Sequence, residues 1–103
     1  MGTGGMEFIG LDIGSTSIKG VAWDLDRMQV VGKPVRVASP GPLAGLPAGH
    51  FELDPLEVSK LVGEVVDALS VAGKCDGIVS CTQMAGVVLA DEQGTPLTNY
   101  LSW

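Results

Sequence analysis

Only one stretch of this chain, from Asp54 to Leu69, repeats its apolar residues at helical spacing, and that bounds what the remainder can become. Val58, Leu61, Val62, Val65, Val66 and Leu69 form one stripe, which reads as a core-facing surface and not as a binding groove. Asp54-Pro55-Leu56-Glu57 opens the helix by rule. Asp54 can accept from the free amides of the first turn, Pro55 suits a position where no amide partner is lost, and Glu57 can answer back as in a capping box. Gly73 is available to end it. With one helix to share, the other apolar residues must be buried largely by strands.

The strands are legible on either side. From Phe8 to Val37 there are three apolar stretches with β-branched content, broken by Gly14 to Ser17 and by a polar turn around Asp24 to Arg27, which predicts a three-strand antiparallel meander. Residues 38 to 53 hold Pro40, Gly41, Pro42, Gly45, Pro47 and Gly49, so this segment reads as a long loop. After the helix, Asp76 to Cys81 reads as a buried strand and Val87 to Ala90 as another, before the turn Asp91-Glu92-Gln93-Gly94. The order β-β-β-α-β-β predicts an α/β domain with a mixed sheet. A sheet of this kind needs both faces covered, and the chain ends on Tyr100-Leu101-Ser102-Trp103 with one helix to offer. An incomplete domain, cut from a longer protein, is therefore expected.

Composition excludes several partners. The chain has 103 residues, 46% of them hydrophobic, enough for one core. Six Lys plus Arg against 12 Asp plus Glu give a formal charge of -6 without a basic run, which argues against a nucleic-acid or anionic-membrane partner. Cys75 and Cys81 have neither disulfide-scaffold nor metal-ligand spacing, and read as reduced core thiols of a cytoplasmic protein. No run is long and apolar enough for a membrane span, and no signal peptide is evident at the start. Residues 1–6 read as a flexible leader, with Met6 a plausible natural start.

The segment richest in chemistry is Gly10-Leu11-Asp12-Ile13-Gly14-Ser15-Thr16-Ser17-Ile18-Lys19-Gly20. An apolar strand ends in a carboxylate, a glycine and three hydroxyl residues make the turn, and the next strand begins with a base. Asp12 can hold a magnesium ion directly or through water. Gly14 removes a side chain that would keep phosphate from the backbone, while the turn amides and the Ser15 and Thr16 hydroxyls can donate to phosphate oxygens. Lys19 can add a point charge near acceptor or phosphate. By spacing alone, a serine-rich hairpin turn explains the same residues. Neither the GxxxxGK[ST] loop nor GxGxxG is present.

The string DIGSTSIK resembles the first phosphate motif of the sugar kinase, actin and heat-shock chaperone superfamily, whose nucleotide loop joins the first two strands of a ribonuclease H-like, actin-like ATPase domain. Later segments choose a branch. Gly49-His50-Phe51-Glu52-Leu53-Asp54-Pro55 resembles the "GWxExDP" entrance to the first long helix of FGGY carbohydrate kinases, with His50 in place of the usual aromatic. Gly77 to Gly86 resembles the strand and substrate loop of that family, Asp91 to Leu97 its following turn, and Tyr100 to Trp103 the start of its Trp-x-Asp-x-Arg segment. The resemblance runs in order over nearly the whole chain from Phe8, so residues 7–103 are expected to be a partial N-terminal domain of such a kinase, lacking the rest of that domain and all of the second.

The resemblance implies roles by position. Asp12 would be the magnesium-associated carboxylate, Gly14, Ser15 and Thr16 the ATP phosphate contacts, and Lys19 the base in a place often held by arginine. Gln83, Met84 and Trp103 would lie along the sugar cleft. Glycerol kinases carry Arg-Glu after the glutamine and xylulokinases commonly Met-His-Gly, whereas this chain has Met84-Ala85-Gly86. Polar groups that would read substrate hydroxyls are thus missing, and a xylulose-like ketose or polyol stands slightly ahead of glycerol. Purely structural alternatives exist: Gln83 satisfying backbone groups in a turn, Met84 filling core, Trp103 covering a domain edge. His50 has no evident carboxylate partner and reads as an exposed loop residue, and Glu52 as a solvated or loop-fixing charge. The general base and most adenosine contacts are expected beyond Trp103, so the isolated chain is expected to be inactive. The implied partners are nucleotide and a small sugar or polyol, with self-association a further option. A nucleotide-binding or association module of the same superfamily, without catalysis, is the alternative reading.

Overall fold

The computed structural model describes residues 5–70 and 74–102. The meander forms as its sequence dictates. Strands β1 (Glu7–Ile13), β2 (Ser17–Asp24) and β3 (Gln29–Ala38) pair antiparallel, with Ile13 opposite Ile18 across the first turn and Asp24 opposite Gln29 across the second. In the second turn the Asp24 carboxylate accepts from the Arg27 amide at 3.0 Å, and Met28 takes a positive φ of 55°. A short strand β4 (Phe51–Leu53) follows the Pro/Gly-rich segment and leads into helix α1 (Pro55–Leu69). After the helix, β5 (Gly77–Thr82) lies parallel to β1, so the first sheet is mixed with the order β3-β2-β1-β5. Strands β6 (Gly86–Val87) and β7 (Tyr100–Ser102) join β4 in a second sheet of order β4-β7-β6. The expected order of principal elements holds, with two strands added, β4 in the expected loop and β7 at Tyr100–Ser102, and with Val87 to Ala90 divided between β6 and a single bridge from Ala90 to Pro96 across the Asp91 turn.

The helix starts as its sequence requires. Asp54 accepts from the Leu56 amide at 2.9 Å, and Pro55 occupies the first turn. Glu57 does not complete a capping box; its carboxylate stands 4.0 Å from the Lys60 ammonium instead. The last turn closes on Ser70, whose amide reaches the carbonyls of Val66 and Asp67, while Gly73 lies outside the described residues.

Alternation along the strands decides what α1 covers. Ile9 and Leu11 of β1 and Ile18 of β2 turn to the helix and close around Val65, with Val58, Leu61, Val62 and Leu69 packed at the edge of that cluster. Gly20 lets the helix come this close, since a Cβ there would lie 2.7 Å from Val65 Cγ1 and 2.8 Å from Leu69 Cδ1. Burial of side chains such as Ile18 and Val65 contributes about 1.5–3 kcal/mol each, which makes this layer the main source of stability.

The opposite face of the same sheet is open. Val21, Pro34 and Val79 line a broad apolar depression there, ending at Asp12 and Lys19. Strand β5, expected to be buried, is instead largely exposed, with Ile78 52% and Val79 66% accessible. It forms the edge of the sheet, and α1 sits over β1, β2 and β3. The same position explains a second correction: Cys75 and Cys81 are free thiols as expected, but they lie at the surface and not in the core. Among the described residues no helix is long and apolar enough to cross a membrane.

Candidate functional site

The first strand of the sheet delivers Asp12 to its C-terminal end, and the chain then turns back through Gly14, Ser15 and Thr16. The turn is closed by the Gly14 amide donating to the Ser17 carbonyl at 3.0 Å. Gly14 is needed for steric reasons, because a Cβ would stand 2.9 Å from that same carbonyl oxygen. Ser15 and Thr16 are exposed, and among the described residues neither of their amides has a protein acceptor. Two free amides and two exposed hydroxyls on one turn make a donor-rich surface suited to phosphate oxygens.

Parallel pairing of β5 with β1 places the loop after Thr82 beside this turn, since Ile13 and Thr82 are register partners. One cleft results, lined by Asp12, Gly14 and Ser15 from the first loop and by Gln83 and Met84 from the second. Thus residues some seventy positions apart, singled out separately as phosphate and sugar contacts, meet across one opening. Met84 is 99% accessible, so it fills no core within this chain. Gln83 is half-buried, with Oε1 3.4 Å from the Tyr100 hydroxyl, so it is tied to β7 by a long hydrogen bond. Ser102 anchors the same loop by donating to the Ala85 carbonyl at 3.0 Å.

Two other expected residues fall differently. Lys19 is the strand partner of Asp12 and shares its face, which turns away from α1. Its ammonium stands 3.6 Å from the Asp12 carboxylate, and it lines the open apolar depression rather than the cleft with Gln83. Both side chains are about half exposed, so the pair itself adds little stability. Trp103 lies outside the described residues. Near the helix entrance, His50 does have a carboxylate neighbour, Glu52, at 3.8 Å, contrary to the sequence expectation. Glu52 also accepts from the Asn99 side chain at 3.0 Å, which fits its loop-fixing reading and ties the helix entrance to the segment before β7.

The donor set also bears on a metal. Among the described residues there is no cluster of three or more His, Cys, Asp or Glu that could cage an ion. Asp12 supplies one exposed carboxylate at the edge of a polar cleft, with Cys81 Sγ 3.8 Å from its Oδ1. One carboxylate, with water and phosphate oxygens completing the shell, is how magnesium is usually held beside a nucleotide, so the residues present fit that ion.

Sequence reasoning missed Ser39, Tyr100 and Ser102, which fix the two loops from neighbouring strands. Their contacts depend on strand register, and no local pattern announces them.

The architecture is shared with solved structures of kinases. The gluconate kinase of Lactobacillus acidophilus superposes with a TM-score of 0.73 at 29% identity, over 95% of this chain and 20% of that one. The xylulose kinase of Rhodospirillum rubrum matches with a TM-score of 0.70 at 27% identity, over 93% of this chain and 20% of its own. The glycerol kinase of Plasmodium falciparum, solved with ADP, shares the fold at a TM-score of 0.71 and 19% identity, over 96% and 20%. No family model and no curated protein sequence matches the chain. The resemblance to carbohydrate kinases is borne out by these structures, as is the mixed α/β sheet of the actin-like ATPase fold. The chain spans about a fifth of the length of the structures it matches.

Proposed function

We propose that this chain, which shares its fold with carbohydrate kinases, is the phosphate-binding N-terminal segment of an ATP-dependent kinase of the FGGY family that phosphorylates a sugar or polyol, with a xylulose-like ketose favoured. Residues 7–103 form part of its first domain, residues 1–6 are a leader, and the setting is cytoplasmic. The observation that carries this reading is the single cleft in which Asp12, Gly14 and Ser15 face Gln83 and Met84.

In the reaction, a substrate hydroxyl oxygen forms a bond to the γ-phosphorus of ATP while the bond to the β–γ bridging oxygen breaks and ADP leaves. Such transfer asks the protein mainly for alignment and for stabilisation of phosphate charge. A magnesium ion, when bound, neutralises part of that charge. Asp12 would hold it through oxygen, the amides and hydroxyls of Ser15 and Thr16 would hold phosphate oxygens, and Gly14 would admit them to the backbone. Lys19 keeps a positive charge beside Asp12. Gln83 and Met84 align the acceptor on the other wall. The hydroxyl proton would pass to a base outside residues 1–103, because Asp12 would serve the metal and already stands 3.6 Å from the Lys19 ammonium.

Sugar-dependent ADP release by the complete polypeptide carrying this segment, across ketoses, polyols and glycerol, tests the reading. Stimulation by one of them, reduced on the order of 10²–10³-fold by Asp12→Ala, is expected. ATP turnover that ignores every sugar would instead favour a nucleotide-binding or association module without sugar chemistry. The open apolar depression around Val21, Pro34 and Val79 is the observation on that side.

A further inference from the structure

The turn that carries Gly14, Ser15 and Thr16 is held from outside by a residue of β3's end. Ser39 follows Ala38, the register partner of Ser17, and continues the ladder one step past the strand. Its amide donates to the Thr16 carbonyl at 3.0 Å, and its hydroxyl donates to the Gly14 carbonyl at 2.8 Å. With the Gly14 amide already bonded to Ser17, three carbonyls of the turn, those of Gly14, Thr16 and Ser17, are occupied within the protein. What remains free among the described residues is mostly donors, the amides and hydroxyls of Ser15 and Thr16, with the Ser15 carbonyl the one acceptor of the turn left open.

That division matters for an anion. A carbonyl oxygen turned toward a phosphate repels it, and a short turn rich in glycine and serine has many conformers that would do so. Occupying the carbonyls from behind removes those conformers, so the donors are pre-organised instead of being ordered when the ligand arrives. The Ser39 hydroxyl is half-buried and spans 25 residues of sequence to make its bond, which makes it a bridge between elements and not a local turn feature.

We propose that Ser39 is a positioning residue for nucleotide binding, which acts through the Gly14 and Thr16 carbonyls to present the Ser15 and Thr16 donors to phosphate. The proposal rests on the phosphate-binding reading of the turn. Ser39 touches no substrate, so its role is visible in ligand affinity and in turn dynamics rather than in a bond to the ligand.

The test uses the 103-residue chain in three variants, Ser39→Ala, Ser39→Thr and Ser70→Ala. The last removes a comparable hydroxyl-to-carbonyl bond, Ser70 to Val66 at 2.7 Å, at the far end of α1. Affinity for magnesium-ADP and hydrogen exchange of the Gly14 amide are measured for each. Ser39→Ala is expected to weaken magnesium-ADP binding about fivefold, the worth of one ordinary hydrogen bond, and to speed Gly14 exchange. Ser39→Thr keeps the hydroxyl and restores both, while Ser70→Ala leaves both unchanged. Equal affinity in Ser39→Ala and the parent chain, with binding intact, overturns the positioning role and leaves the phosphate reading standing. A parent chain that binds no magnesium-ADP, although Ser39→Ala still speeds Gly14 exchange, overturns the role through failure of the phosphate reading itself.

Discussion

Gly14 sits where any side chain would press on the backbone that closes the turn, 2.9 Å from the Ser17 carbonyl oxygen. Gly14→Ala must therefore push the Ser17 carbonyl or the turn aside, and it is expected to weaken magnesium-nucleotide binding while shifting the unfolding midpoint little, since the turn lies outside the apolar core. Binding isotherms and thermal melts of the same sample check both halves. Asp12, Gly14, Ser15 and Thr16 were readable as candidates because their chemistry is local: a carboxylate, a glycine and two hydroxyls within five positions. Lys19 was only half readable. Its place at the start of the strand after the turn was legible, but its pairing with Asp12 and its place on the open sheet face follow from a strand register that the sequence leaves soft. Ser39 left no trace at all, because its bonds to Gly14 and Thr16 exist only once β3 has chosen its register on β2.

Among the elements, α1 and the meander carry most of the stability, and β5 carries position. Val65 is fully buried against β1 and β2, so Val65→Ala is expected to cost on the order of 2 kcal/mol in chemical denaturation from lost transfer energy and cavity formation. Val79, at 66% exposure on β5, should behave oppositely: Val79→Ser stays within about 0.5 kcal/mol of the parent chain. Similar losses at the two sites would contradict the layer assignment. The body and start of the helix were legible because a 3.6-residue stripe and an Asp-Pro entrance are strong local signals, and Asp54 does cap it, although Glu57 does not close the expected box. The apolar run of β5 was legible as a strand, yet its burial was not. Apolar content shows what a strand can bury, whereas the neighbours that cover it are set by topology. The second sheet was legible only in part: Val87 was read into a strand and lies in β6, while β4 and β7, three residues each, are too short for any period to show.

On the scale of the whole molecule, the radius of gyration is 16.0 Å, against about 13 Å for a compact domain of 100 residues. The excess comes from an elongated arrangement, 57 by 28 by 21 Å, in which one face of the main sheet stays uncovered. A chain that spans a fifth of the length of the kinase structures it matches, and whose cleft among the described residues holds no carboxylate, histidine or lysine besides Asp12, should not turn over on its own. The purified 103-residue chain is accordingly expected to release no ADP above background with any ketose, polyol or glycerol, in a coupled assay that detects a single slow turnover.

On the proposed reading, weak nucleotide binding should need only the turn and a magnesium ion. The most direct measurement is a nuclear magnetic resonance titration of the isolated chain with magnesium-ADP at millimolar concentration, in the parent sequence and in Asp12→Ala. The account predicts amide shifts concentrated at Gly14, Ser15 and Thr16, spreading to Gln83 across the cleft, and lost in Asp12→Ala or when magnesium is chelated. Shifts confined to the open face around Val21 and Val79, or no shifts at Gly14 to Thr16 in the folded parent chain, would contradict it.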